Sequence, residues 1–150
     1  MNQKHLKSLF DYDEDGYLIR KISGKRLGCL NGKYLRGRIE KKNYYVHRLV
    51  YLYHKGSMPR CIDHINGKHL DNRIENLRPA THSENQWNRP KNTNNSSGHK
   101  NIGKTKSGRW IVSMERYGKR YRGGSYEHIE DAVKAAQVLR ERLHGEYSKA

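Results

Sequence analysis

Asp63, His64, Asn76 and Asn85 stand close together in a chain otherwise crowded with Lys and Arg. Metal-assisted hydrolysis of a phosphodiester needs a base to deprotonate water, hard oxygen ligands for a divalent cation, and a group that orients the base. His64 can be the base. The adjacent Asp63 projects from the opposite face of an extended backbone and can bind the cation. Asn76 can hold the imidazole, and Asn85 can supply a second oxygen ligand. Between them, Asn66, Asp71, Asn72 and Arg73 are residue types that fix turns through side-chain to backbone hydrogen bonds.

The full stretch reads Asp63-His64-Ile-Asn-Gly-Lys-His-Leu-Asp-Asn-Arg-Ile-Glu-Asn-Leu-Arg78, followed by Asn85 and Asn88. It resembles the signature of phage-type HNH homing endonucleases. That resemblance implies a ββα-metal unit in which a hairpin and a helix clamp one divalent cation. It implies Asp63 and Asn85 as metal ligands, His64 as activator of water and Asn76 as its orienting partner. Asn85 stands where the last histidine of the motif's name would fall, which favours an oxygen site for Mg²⁺, with Mn²⁺ as a substitute, over a softer zinc site. A His-Arg pair similar to His47-Arg48 begins the preceding helix in that family. Arg48 is thus a candidate at the scissile phosphate, or simply a solvated or paired helix-start residue.

Charge frames this cassette. The chain has 150 residues and a formal charge of +16, with 33% hydrophobic and 31% charged residues, so a large single core is excluded and an anionic partner is expected. Net charge is +9 over residues 1–60, zero over 61–90, +8 over 91–126 and −1 over 127–150. Two basic regions that could grip phosphates flank a neutral one that could do chemistry. Cys29 and Cys61 form no Cys-x-x-Cys pair, which speaks against a disulfide framework or a thiolate zinc site. No apolar leader and no membrane-length apolar run is present, so a cytoplasmic protein is expected.

The elements that must position these residues follow from periodicity and punctuation. Residues 16–21, 33–40 and 43–47 read as strands separated by glycines, and residues 47–55 as a helix stopped by Gly56 and Pro59. Helix start signals stand at Thr81 and Ser83, and residues 89–98 have the composition of a linker. Beyond it, residues 101–105, 109–117 and 119–126 read as three antiparallel strands, with Trp110, Val112 and Met114 on the inward face. A helix from Ile129 presents Ala132, Val133, Ala136, Leu139 and Leu143 as the matching stripe. Residues 98–147 resemble the plant ethylene-response-factor DNA-binding domain, through Gly-Arg-Trp110, Gly-Gly-Ser-Tyr126 and the alanine-bearing helix near His144-Gly145-Glu146. In that domain the sheet enters the major groove. The resemblance suggests Lys104, Lys106, Arg109, Arg116, Arg120 and Arg122 for phosphate or base-edge contacts. Several arginine positions of the plant pattern are Lys, Thr or Ser here, so base specificity does not carry over.

The expected fold is α+β: a small N-terminal antiparallel sheet, a central ββα-metal unit, and a C-terminal three-stranded sheet plus helix. The expected domains are 1–60, a basic sheet and helix; 61–90, the nuclease unit; 91–98, a linker; and 99–150, the DNA-reading domain. In the first, Arg20, Lys21, Arg36, Arg38, Lys41 and Lys42 interleave with tyrosines as a second DNA contact surface. The expected function is divalent-cation-dependent cleavage of double-stranded DNA by a monomer or weak dimer with no obligate protein partner. The competing reading is a non-catalytic, sequence-specific DNA-binding regulator that keeps a degenerate nuclease unit for structure.

Overall fold

Asn2 starts the first helix, because its side chain accepts the His5 backbone N–H at 2.9 Å and satisfies one orphan donor of the first turn. The computed structural model describes residues 1–147 and divides the chain into two units, 1–81 and 82 onward. The architecture is α+β, with small antiparallel sheets and helices and, among the described residues, no closed barrel. No helix among the described residues is long and apolar enough to cross a membrane.

In the first unit, α1 (Gln3–Leu9) leads into a short hairpin of β1 (Phe10–Tyr12) and β2 (Leu18–Arg20). A three-stranded meander follows, β3 (Cys29–Asn31), β4 (Tyr34–Ile39) and β5 (Lys42–Tyr45), in that spatial order. β5 runs directly into α2 (Val46–Lys55), which ends at Gly56 in the left-handed conformation that glycine adopts at least cost. The hairpin of β6 (Cys61–His64) and β7 (Leu77–Ala80) completes the unit, and a single 3₁₀ turn at Ile74–Asn76 leads into β7.

One core holds these pieces together. Leu6, Phe10, Leu18, Leu27, Ile39, Val46, Leu49 and Val50 are buried with Ile62 and Leu77 of the β6–β7 hairpin. The expected division at residue 60 therefore does not separate two cores. The hairpin has only two apolar residues to bury, too few for a core of its own, and it borrows that of the first sixty residues. The strands expected at 16–21, 33–40 and 43–47 correspond to β2, β4 and β5, whereas α1, β1 and β3 had no sequence expectation.

The second unit begins with α3 (His82–Trp87) and contains β8 (Ile102–Lys104), β9 (Trp110–Arg116), β10 (Lys119–Tyr126) and α4 (Ile129–His144). The strands are antiparallel in the order β10-β9-β8. Ile102, Val112 and Met114 on the sheet meet Ala132, Ala136, Leu139 and Leu143 on α4, with Trp110 and Tyr126 packed alongside. Gly123 makes this close approach possible: a Cβ there would lie 2.6 Å from the Val112 side chain and 3.1 Å from Leu139. Residues 91–98 lack helix or strand, as their composition suggests, yet they are tied down. Lys91 Nζ donates to Gly98 O at 2.8 Å, Ser97 Oγ donates to Ile102 O at 2.7 Å, and Lys100 Nζ donates to Trp87 O and Arg89 O at 2.6 Å.

Candidate active site

The register of the β6–β7 hairpin sets the geometry. Asp63 lies opposite Arg78 and His64 opposite Leu77, so Asp63 and His64 leave the strand on opposite faces. Both are buried at 3% exposure. Arg78 Nε and Nη2 donate to the same Asp63 oxygen, Oδ2, at 2.9 and 2.8 Å. Those two charge-assisted bonds fix the carboxylate's orientation and compensate its burial.

The turn from His64 to Asn76 is built from its own polar residues. Asn66 Nδ2 donates to Asp71 Oδ2 at 2.7 Å, and Arg73 reaches both Asp71 oxygens at 2.9 Å through Nε and Nη2. The Arg73 guanidinium holds the Asp71 carboxyl well below the usual carboxylate range. Asn66, Asp71 and Arg73 thus act as turn fixers. Asn76 belongs with them: its Oδ1 accepts from Asn66 N at 2.9 Å and its Nδ2 donates to Asp71 O at 2.7 Å. The expected direct hold of Asn76 on the imidazole is not the contact formed. Both ends of its amide are spent on the turn backbone, because the 3₁₀ turn sets Asn76 under the loop. The amide beside the ring is that of Asn72, whose Oδ1 lies 3.1 Å from His64 Nε2.

Aromatic rings surround the other side of His64. His47 packs edge-on at 5.2 Å, His69 at 5.7 Å and Tyr34 at 6.1 Å between ring centroids. Burial lowers the His64 pKa, the Asn72 hydrogen bond partly opposing it, and burial with the neighbouring His64 pushes His47 down to about 3. Both shifts favour the neutral, proton-accepting ring. Tyr34 comes from β4 and His47 from α2; no spacing in the sequence marks them as partners of His64. Arg48 is engaged by the backbone, its Nη1 and Nη2 donating to Arg60 O at 3.0 Å and Pro59 O at 2.8 Å.

A profile of the HNH endonuclease family matches residues 44–87, from β5 through α3. Over 97 residues the chain is 32% identical to "Protein 3.8" of Escherichia phage T7, a match that covers 63% of this chain and 79% of that protein. The chain belongs to the HNH endonuclease family. No solved structure matches it.

The HNH match takes in Asp63, His64, Asn76 and Asn85, and it crosses from the first unit into α3 of the second. Among the described residues no group of three or more His, Cys, Asp or Glu side chains could hold a metal ion. Asp63, fixed by Arg78, is a hard oxygen donor of the kind a divalent cation takes. A single carboxylate suits a cation that keeps most of its waters.

The remaining candidates separate by strand parity. Arg36 and Arg38 are exposed on β4, opposite Tyr45 and Asn43, while Gly37 and Ile39 between them face the core. Arg20 is half-buried, with its Nη2 donating to Arg38 O at 2.8 Å. On the C-terminal sheet, Arg120 and Arg122 pair with Glu115 and Ser113 on the open face, away from α4. Lys106 is exposed in the β8–β9 turn. Arg109 is engaged by Glu127 at 2.9 Å and by Ser125. Arg116 and Lys104 do not belong to the open face. Both share the parity of Trp110, Val112 and Met114, so Lys104 Nζ sits 5.0 Å from the Trp110 ring and Arg116 sits over Trp87 at 5.7 Å. The expectation treated the sheet's cations as one set, whereas the period of two divides them.

Proposed function

We propose that the chain is a homing-type DNA endonuclease, dependent on a divalent cation, in which His64 is the general base. The observation that carries this reading is the pairing of a buried His64 with a fixed Asp63 carboxylate on consecutive residues of one hairpin, inside the stretch that matches the HNH family. Asp63, with Asn85 as a second oxygen donor, would hold Mg²⁺ or Mn²⁺, which when bound would neutralise charge at the scissile phosphate and the leaving oxygen. His64 takes a proton from water, the water oxygen forms the new bond to phosphorus, and the bond to the 3′ oxygen breaks, that oxygen leaving with the electron pair and taking a proton from solvent. Asn76 keeps the turn in shape so that His64 meets the phosphate. Arg36 and Arg38 of β4, with Arg120 and Arg122 of the ethylene-response-factor-like sheet, are the cations proposed to hold double-stranded DNA, with Lys106 beside them.

The test is cleavage of supercoiled plasmid in Mg²⁺. Wild type is expected to give open-circle or linear product, and His64→Ala to lose at least about a hundredfold in rate while retaining gel-shift binding. Equal cleavage by the two proteins removes His64 from the mechanism. Binding without Mg²⁺-dependent cleavage by the wild type makes the protein a DNA-binding regulator.

A further inference from the structure

We propose that the open face of β4 and β5 is a site for an unpaired DNA strand, in which one base stacks on the ring of Tyr45 while Arg36 and Arg38 hold phosphates. The site deepens the endonuclease reading, on which it rests, by naming the form of DNA brought to His64.

Strand register gathers these residues on one face. Tyr34, Arg36 and Arg38 alternate with the inward Leu35, Gly37 and Ile39, and Arg36 lies opposite Tyr45 while Arg38 lies opposite Asn43. β3 adds Cys29 opposite Arg36 and Asn31 opposite Tyr34. No position on this face is acidic, so the two exposed guanidiniums meet no carboxylate there and attract phosphate. Two residues of a strand advance about 6.6 Å, close to the step between neighbouring phosphates of an extended nucleic-acid strand.

Tyr45 is not explained by the helix it precedes. It is the N-cap of α2 but makes no side-chain cap bond, at a position that Ser, Thr, Asp or Asn would serve better. Its ring lies nearly parallel to His47, at 20° with centroids 5.7 Å apart, and meets Tyr34 edge-on at 5.6 Å. Held on two sides, it still leaves 41% of the residue in water. A base inside a duplex has both faces covered by its neighbours, whereas an unpaired base has a face to give. An aromatic ring beside cations that track the backbone is the arrangement that binds single strands. Tyr34 connects this face to the candidate base, its ring 5.3 Å from His47 and 6.1 Å from His64. Because His64 is 3% exposed, a phosphate must be led inward to it, and a single strand bends to do so at less cost than a stiff duplex.

The experiment uses the full chain in EDTA, so that cleavage does not disturb binding, with a fluorescent oligothymidylate and a blunt duplex of equal length as probes. Tyr45→Ser, which keeps a good helix N-cap, is expected to weaken oligothymidylate binding about tenfold, and Tyr45→Phe, which keeps the ring, to stay within about twofold. Duplex binding should stay within about twofold for both variants. An oligonucleotide carrying 5-iodouracil should cross-link on irradiation to the peptide that contains Tyr45. Equal losses on single strand and duplex overturn the proposal, as does a Tyr45→Ser protein that binds oligothymidylate like the wild type. A cross-link confined to other peptides also overturns it, and that result is readable even if Tyr45→Ser fails to fold. In Mg²⁺, a duplex with an unpaired stretch in one strand should be cut at least about tenfold faster than its fully paired counterpart, and equal measurable rates count against the proposal. Absence of all cleavage with the Tyr45 effect on binding intact would instead defeat the endonuclease reading and leave the strand site standing.

Discussion

At the residue scale, the site depends on polar groups that are buried only because a partner satisfies them. Asp63 is the clearest case, since Arg78 reaches its Oδ2 through two nitrogens in a setting with almost no solvent. Removing the guanidinium while keeping its volume leaves the carboxylate without that partner. Arg78→Met is expected to cost about 3 kcal/mol in urea unfolding, and a loss below about 0.5 kcal/mol would mean that solvent already compensates the charge. His47 gives a pH dependence. Burial holds its folded pKa at about 3 against 6.5 in an unfolded chain, so the unfolded state binds the extra proton between those values. Stability is complete above about pH 6.5 and falls as pH drops toward 3, at about 1.4 kcal/mol per pH unit. Denaturant melts between pH 7.5 and 4.5 measure the slope. His47→Phe should flatten it in part, because burial shifts His64 the same way.

At the element scale, the short first hairpin is a brace for the turn between His64 and Asn76 and not a mere lead-in. Its Gly16 has φ +90° and leaves no room for a side chain beside Asn72 and Arg73. Gly16→Ala must strain its own backbone and push the turn away. We expect a loss of about 2 kcal/mol and a fall in plasmid cleavage larger than the fall in DNA binding. Unchanged cleavage would show that the turn tolerates displacement. In the second unit, α3 is secured through Trp87, which stacks on His144 at 4.4 Å and meets Tyr117 edge-on at 5.2 Å. The element carrying Asn85 is thus fastened to the sheet-and-helix unit that follows it in sequence. For a six-residue helix with no buried residue of its own ahead of Asn88, this tertiary anchoring replaces the propensity that so short a helix lacks.

At the scale of the whole molecule, charge decides how DNA would be held. The segments 1–60 and 91–126 carry +9 and +8 around a neutral stretch, and the exposed cations within them lie on the faces away from the two cores. Each cation that neutralises a phosphate releases counterions, so log binding constant falls with log salt by about 0.9 per contact. Replacing Arg36 and Arg38 by Ala should reduce that slope by about 2, and replacing Arg120 and Arg122 should do the same. Arg116→Ala should leave the slope unchanged and lower stability, because its guanidinium lies over Trp87 and Tyr117.

The sequence by itself determined the four motif residues, the α+β class, β2, β4, β5 and the C-terminal sheet and helix, since each rests on local spacing, alternation or a helical stripe. It also determined that residues such as Asp71 and Arg73 shape a turn, because they act on neighbours only a few residues away. Only the tertiary structure decided that Asn72 and not Asn76 meets the imidazole, that His47 and Tyr34 line the other side of His64, and that the β6–β7 hairpin shares its core with the first sixty residues. The physical reason is separation along the chain: packing brings together groups from α2, β4 and the first hairpin that no periodicity links. Strand parity lies between the two. The alternation was legible, but which basic residues it exposes depended on the register with which β8, β9 and β10 pair beneath α4.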